Sequence, residues 1–157
     1  MQFQKQSALY GAAVLIAALG TAGAAQALDP SDLGELRGEA VALLQEQGEE
    51  AAIGILGDPE NGALELAESG LHSWGIDGDG VIIWDHSGQA SPGLDVSGFE
   101  GPDGTNYAQD VVHQVKEGDG EMIWEGFPHP TTNEVGAPNL SCAEFATDRY
   151  VCVMAWF

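Results

Sequence analysis

Basic residues are scarce in this sequence. Only 4 Lys and Arg accompany 25 Asp and Glu, which gives a formal net charge of −21 at pH 7. Nucleic acids and anionic lipid headgroups are bound through clusters of Lys and Arg, so the composition excludes nucleic acid as a partner. The acidic field itself has two interpretations: a solvating surface suited to a salty or exposed compartment, or a means of attracting cations.

Motifs of catalysis and metal binding are also missing. The sequence contains no GxSxG or HExxH, and its 4 His are scattered, so we expect no catalytic residue and no cofactor. The Asp77-Gly78-Asp79-Gly80 segment suggests a calcium loop, but the EF-hand pattern fails because Val81 and Gly88 stand where carboxyl ligands are required. Turn chemistry explains this segment, and we expect no metal site.

Long apolar runs are absent after Leu28, because charges or prolines interrupt each of them. Before this point, Lys5, an apolar stretch and Ala25-Gln26-Ala27 form the pattern of a secretory signal peptide cleaved after Ala27. An uncleaved membrane anchor is the alternative. We therefore expect residues 28–157 to form one exported domain, periplasmic or secreted, with no membrane span in the mature chain.

Cysteine is limited to Cys142 and Cys152. They flank a segment that is typical of two strands joined by a turn, so their side chains can face each other. We expect a stabilising disulfide, which fits an oxidising compartment. Redox chemistry or zinc binding would require CxxC units that this chain lacks.

The first part of the mature chain is predicted to be helical. Asp29-Pro30-Ser31 begins a helix whose apolar residues recur every three or four positions up to Gln47. Gly48 interrupts this helix, and Gly57-Asp58-Pro59 ends it. Its narrow apolar stripe has two interpretations, packing on a sheet or homodimerisation through the helix.

A β-hairpin is the clearest feature of the sequence. Residues 71–76 and 81–86 have strand-like composition and flank the Asp77–Gly80 turn. The period of two along a strand gives the hairpin two mixed faces, which suggests a sheet covered on both sides and a pocket at its polar end. One face holds His72, Trp74, Ile76, Val81, Ile83 and Asp85, and the other holds Leu71, Ser73, Gly75, Ile82, Trp84 and His86.

The remaining elements complete an α+β domain with a five-stranded antiparallel sheet. After a linking segment at 60–70 and the hairpin, residues 87–104 form a long Gly- and Pro-rich loop expected to line or close over a site, with Phe99 in the core. Asp103-Gly104-Thr105 can cap a short helix that ends at Gly118, with Asp110 and His113 nearer solvent. Strands are predicted at 121–127, 140–145 and 149–157.

These segments, in this order, resemble the single Cache domain, the PAS-like extracellular sensor module, in its type 2 or standalone form. The matching residues are Trp74 to His86, Pro92-Gly93, Gly101-Pro102-Asp103-Gly104, Gly118-Asp119-Gly120, Glu121 to Trp124, and His129-Pro130. The resemblance implies a long N-terminal helix on one face of the sheet, and a short helix with loops enclosing a small-molecule pocket on the other. It also implies sensing of organic acids, amino acids or related metabolites for chemoreceptors and kinases.

This chain departs from the family pattern in one respect. Family members often carry Lys and Tyr after the Pro-containing turn, where this chain reads Asn139 to Phe145. Without those groups a simple carboxylate ligand is in doubt, because an unpaired buried anion is costly. An amine, an amino acid or a weakly polar organic molecule fits better, and the signal would pass to a partner such as a membrane receptor or transporter. The alternative function is an envelope-associated structural or dimerisation domain without a ligand.

The candidate ligand-binding residues lie on the hairpin, the short helix and the third strand. We expect Trp84 and His86 to line the pocket with Ser73, although His86 is equally well interpreted as a core histidine. His72 and Asp85 are expected to pair across the hairpin. Aromatic side chains complete the proposed wall, namely Trp124, Tyr107, Phe127 and Trp156.

Overall fold

The computed structural model describes residues 28–58 and 70–157 of the chain. The predicted signal peptide lies outside these residues, as does all of the predicted 60–70 link except Gly70. None of the helices in the described ranges is long and apolar enough to cross a membrane.

Two consecutive helices open the described chain. Helix α1 (Asp32–Gln47) and helix α2 (Glu49–Leu56) are separated by Gly48, whose φ of 81° places it in the left-handed region that favours glycine. The predicted interruption is therefore confirmed. The buried side chains recur at helical spacing, so the two helices present one apolar stripe: Leu33, Ala40, Leu44, Ala52 and Leu56.

The strands form the predicted five-stranded antiparallel sheet. After β1 (His72–Asp77) and β2 (Ile82–Asp85) come helix α3 (Tyr107–Glu117) and β3 (Glu121–Ile123). The short strands β4 (Phe127–Pro128) and β5 (Val135–Gly136) pair with each other, and β6 (Asn139–Ala146) and β7 (Arg149–Ala155) end the domain. The strand order is β2-β1-β7-β6-β3. The predicted strand at 121–127 is too long, because the chain turns at Gly126, where φ is 76°.

Both faces of the sheet are covered, as the hairpin pattern predicts. Along β7, Tyr150, Cys152 and Met154 join the core under α3, whereas Val151 packs with the residues of α1 and α2. This alternation confirms the two predicted faces of the last strand. Cys142 and Cys152 are opposite each other in the β6–β7 ladder, and the predicted disulfide joins them.

The hairpin carries an irregularity that the period of two does not predict. Trp74 lies opposite Asp85 and Gly75 opposite Trp84, but a bulge then brings Ile82 opposite Ile76. The assignment of Ile82 to the Trp84 face is therefore wrong, since one extra residue in β2 reverses the parity beyond the bulge.

Two smaller expectations around α3 are also corrected. Phe99 does not enter the core, since 53% of its surface is exposed. The residue that caps the helix is Asn106, and not one of residues 103–105 as expected. The Asn106 side chain accepts a hydrogen bond from Gln109 N at 3.0 Å. Asp103 instead accepts hydrogen bonds from Thr105 within the loop.

Candidate ligand-binding site

A cavity of about 300 Å³ lies between the sheet and the covering formed by α3 and the 87–104 loop. This volume is at the lower end of what small-molecule sites usually offer. Most of its lining is apolar or aromatic, with a few polar side chains at one end. The lining residues are His72, Trp74, Ile76, Ile82, Asp85, Ser87, Gln89, Ala90, Leu94, Val96, Phe99, Tyr107, Ala108, Trp124, Phe127 and Met154.

One wall of the cavity is a cluster of aromatic rings. The ring centres of Tyr107 and Trp124 are 4.5 Å apart, and Phe127 lies 5.3 Å from Tyr107 and 5.5 Å from Trp124. Trp74 extends the cluster from the sheet, with its ring centre 5.7 Å from that of Trp124. The tilted and edge-on arrangements are those that aromatic pairs prefer, so the wall is held in place by its own contacts.

Trp124 is further fixed by a polar contact. Its Nε1 donates a hydrogen bond of 2.8 Å to the carboxylate of Asp110 on α3. The expected orientation of Asp110 toward solvent is therefore corrected: the side chain is half-buried and joins α3 to the residue that follows β3. The Trp74 Nε1, in contrast, is buried and has no hydrogen-bond partner among the described residues.

Asp85 organises the loop that forms another wall of the cavity. Its carboxylate accepts hydrogen bonds from Ser87 N at 2.9 Å, from Ser87 Oγ at 2.7 Å and from Ala90 N at 2.8 Å. These donors are neutral, so they orient the carboxylate without cancelling its charge. The ladder places Trp74, and not His72, opposite Asp85, so the expected direct cross-strand pairing of His72 with Asp85 is wrong. The Asp85 charge still acts on the His72 ring, but no hydrogen bond joins the two among the described residues.

His72 presents an acceptor at the same end of the cavity. Its Nδ1 lies 2.7 Å from the carbonyl oxygen of Gly70 and donates to it, which leaves Nε2 as the unprotonated nitrogen of the neutral ring. Burial lowers the pKa of His72 below its usual value, and this outweighs the opposite effects of the Gly70 hydrogen bond and the Asp85 charge. The ring is therefore neutral at pH 7.

No positive side chain lines the cavity within the described residues. Arg37 donates to Glu121 Oε1 at 3.1 Å and to the carbonyl oxygens of Asp119 and Cys142. Lys116 contacts Asp148 at 2.9 Å, and Arg149 forms an ion pair with Glu49. Every Lys and Arg of the two described ranges is thus engaged elsewhere, and Asp85 is the only formally charged carboxylate among the lining residues.

The structure divides the sequence-predicted site residues into two groups. Trp124, Tyr107 and Phe127 line the cavity, and Trp156 lies beside it, with its ring centre 6.3 Å from that of Phe127. Ser73, Trp84 and His86 do not. Strand alternation correctly placed Ser73 and Trp84 on one face, but that face is turned toward α1 and α2.

The positions of Ser73 and Trp84 show why. Ser73 Oγ donates to the Leu56 carbonyl oxygen at 3.2 Å, and Trp84 packs with Leu44 and Leu56 in the core beneath the helices. His86 is buried with both ring nitrogens lacking a hydrogen-bond partner among the described residues. Desolvation lowers the pKa of His86, opposed by the charges of Asp85 and Asp58.

The floor of the cavity was not predicted from the sequence; it is formed by His72, Trp74, Ile76 and Asp85. A signal for it was present, because this hairpin face carries the same mixture of aromatic, apolar and polar residues as its opposite. The alternation of side chains along the strands does not show which face α1 and α2 cover.

Comparisons with known proteins give the fold a context. No family model matches the sequence, and no curated protein matches it significantly. A methyl-accepting chemotaxis protein from Vibrio parahaemolyticus RIMD 2210633 is similar in structure, with a TM-score of 0.66, 15% identity and coverage of 80% of this chain and 86% of that one.

Two further solved structures are similar. One is a Cache chemosensory domain solved for its recognition of carboxylic acids, with a TM-score of 0.66, 16% identity and coverage of 80% of this chain and 91% of that one. The other is a periplasmic sensor domain of a chemotaxis protein, with a TM-score of 0.58, 19% identity and coverage of 81% and 87%. The described chain therefore has the α+β fold of a single Cache sensor domain.

Proposed function

We propose that this protein is an exported sensor module that binds a small organic molecule in the aromatic cavity and signals through a partner protein. The observation that carries the proposal is the cavity itself. It is preformed between the sheet and a loop, is lined by apolar and aromatic side chains, and places a few polar groups at one end. The fold shared with chemotaxis sensor domains supports the same function.

Export is part of this proposal. Residues 1–27 have the pattern of a cleaved signal peptide, and the Cys142–Cys152 disulfide is compatible with an oxidising compartment such as the periplasm. The partner is proposed to be a membrane receptor or transporter, to which the loop held by Asp85 would report whether the cavity is occupied.

Filling the cavity provides the test. Ala90 lines the cavity from the loop, and leucine at this position would occupy part of its space. The same change at Ala42, an exposed residue of α1, is the matched control. The full chain is expressed in a bacterial host, and the intact mass of the purified protein reports removal of residues 1–27. Native mass spectrometry then looks for a retained small molecule.

A melting-temperature screen against amines, amino acids, alcohols and short acids completes the experiment. We expect at least one compound to raise the melting temperature of the wild type and of Ala42→Leu but not of Ala90→Leu. A flat response across the panel, with no retained molecule, would exclude the sensor function and favour a structural domain that keeps the fold without a ligand.

A further inference from the structure

We propose that the ligand is a small organic ammonium ion, whose charged group faces Asp85, His72 and the adjoining rings of the aromatic wall and whose apolar part fills the rest of the cavity. This inference rests on the proposed function, since it names the class of molecule that the cavity takes. An ammonium ligand differs from the carboxylic acids recognised by one of the structurally similar domains.

The first argument is the balance of charge in the cavity. A buried carboxylate ligand needs a cation to compensate for its lost hydration. Arg37, Lys116 and Arg149 are all engaged away from the cavity. The charge of Asp85 would instead repel a carboxylate, whereas it attracts an ammonium group.

The second argument is the set of hydrogen-bonding groups at the polar end. An ammonium group has only donors, so its site must offer acceptors. His72 offers Nε2, since its Nδ1 donates to the carbonyl oxygen of Gly70. Asp85 offers carboxylate oxygens whose present partners, Ser87 and Ala90, are neutral donors.

The third argument is the aromatic wall. The faces of Trp and Tyr rings attract cations, and the attraction grows when the site excludes water. Trp124 and Tyr107 are in contact at the cavity, and the Trp124 Nε1 donates to the Asp110 carboxylate, which places a negative charge at the edge of the ring. The cavity therefore has an electron-rich wall near its single negative end.

Three probes of the same apolar shape test the charge preference directly: 3-methylbutylamine, 3-methylbutan-1-ol and 3-methylbutanoate. Binding to the wild-type protein is measured by calorimetry at neutral pH and at low and high salt. We expect the amine to bind about tenfold or more tightly than the alcohol, as a desolvated cation–π contact and one opposite charge imply, and the acid to bind least.

Two variants assign the preference to the cavity. Asp85→Asn removes the charge with little change in size and should reduce the ratio of amine to alcohol affinity to near one. Asp95→Asn is the matched control, because Asp95 lies in the same loop, is exposed and accepts a hydrogen bond from Ser97 N. If Asp85→Asn disturbs the loop and also abolishes binding of the alcohol, Tyr107→Leu is measured in its place. The ratio of amine to alcohol affinity should fall in Tyr107→Leu as well.

Equal affinity for amine and alcohol, or tighter binding of the acid, would overturn the inference while leaving the proposed function intact. A preference that survives both Asp85→Asn and Tyr107→Leu would overturn it too, because the charge and the ring would then play no part. If none of the three probes binds, the inference also fails. The proposed function fails only when the broad panel gives no ligand either.

Discussion

The substitution Gly75→Ala tests the packing that separates the two faces of the hairpin. Gly75 lies opposite Trp84 in the β1–β2 ladder. A Cβ added at this position would lie 2.0 Å from Cζ3, 2.3 Å from Cε3 and 2.6 Å from Cη2 of the Trp84 ring. Carbon atoms in contact are about 3.5 to 4.0 Å apart, so either the ring or strand β1 must move by more than an ångström.

The cost follows from how tightly Trp84 is held. The side chain is 2% exposed and packs in one cluster with Ala40, Leu44, Ala52 and Leu56, which gives the ring little room to shift. Overpacking of such a core costs about 1 to 3 kcal/mol, and we expect Gly75→Ala to lower the free energy of unfolding by about 3 kcal/mol. Trp84→Leu should cost a similar amount, about 3 kcal/mol, through lost packing.

Urea denaturation of the two single variants and of the double variant measures the coupling. If the clash is the cause, the smaller leucine side chain introduced by Trp84→Leu accommodates the added methyl group, and the double variant loses about 4 kcal/mol instead of the additive value of about 6 kcal/mol. The control is Gly54→Ala in α2, where an added Cβ meets nothing within 4 Å and should stabilise the protein by about 0.5 to 1 kcal/mol. Additive losses, or a neutral Gly75→Ala, would refute the packing of Trp84 across Gly75.

Two further predictions concern the disulfide and the buried histidines. Replacing Cys142 and Cys152 together by alanine opens a loop with a sequence separation of 10. Urea denaturation should show a loss of about 3 kcal/mol in the free energy of unfolding. A loss below about 1 kcal/mol would contradict this and show that the unfolded chain already holds the two positions together. Burial lowers the pKa of both His72 and His86, so the unfolded chain binds protons first as the pH falls. Their contribution to stability is therefore fully present above the unfolded pKa of about 6.5 and is lost as the pH falls from there toward the lower folded values. The urea midpoint of the wild type should decrease as the pH is lowered through this range. The decrease should be less steep in His86→Gln and unchanged in the exposed control His113→Gln. A wild-type midpoint that does not change with pH would contradict the role of the buried histidines.

The secondary structure could be predicted because its signals are local. The break at Gly48, the hairpin turn and the alternation of β7 each depend on neighbouring residues and on the periods of 3.6 and 2. The disulfide was predicted for the same reason, since the cysteines lie across a short hairpin. Two aromatic residues of the cavity lining were also predicted to face the pocket, Tyr107 at the start of α3 and Trp124 directly after β3.

The sequence by itself therefore determined the main elements, their order and the shortage of cations on which the proposed ligand class rests. Only the tertiary structure decided which face of the hairpin lines the cavity. That choice depends on where α1 and α2 dock, and they cover the side on which Gly75 leaves room for the Trp84 ring. Trp84 and Ser73 lie beneath the helices for this reason, and the cavity floor is made of His72, Trp74, Ile76 and Asp85.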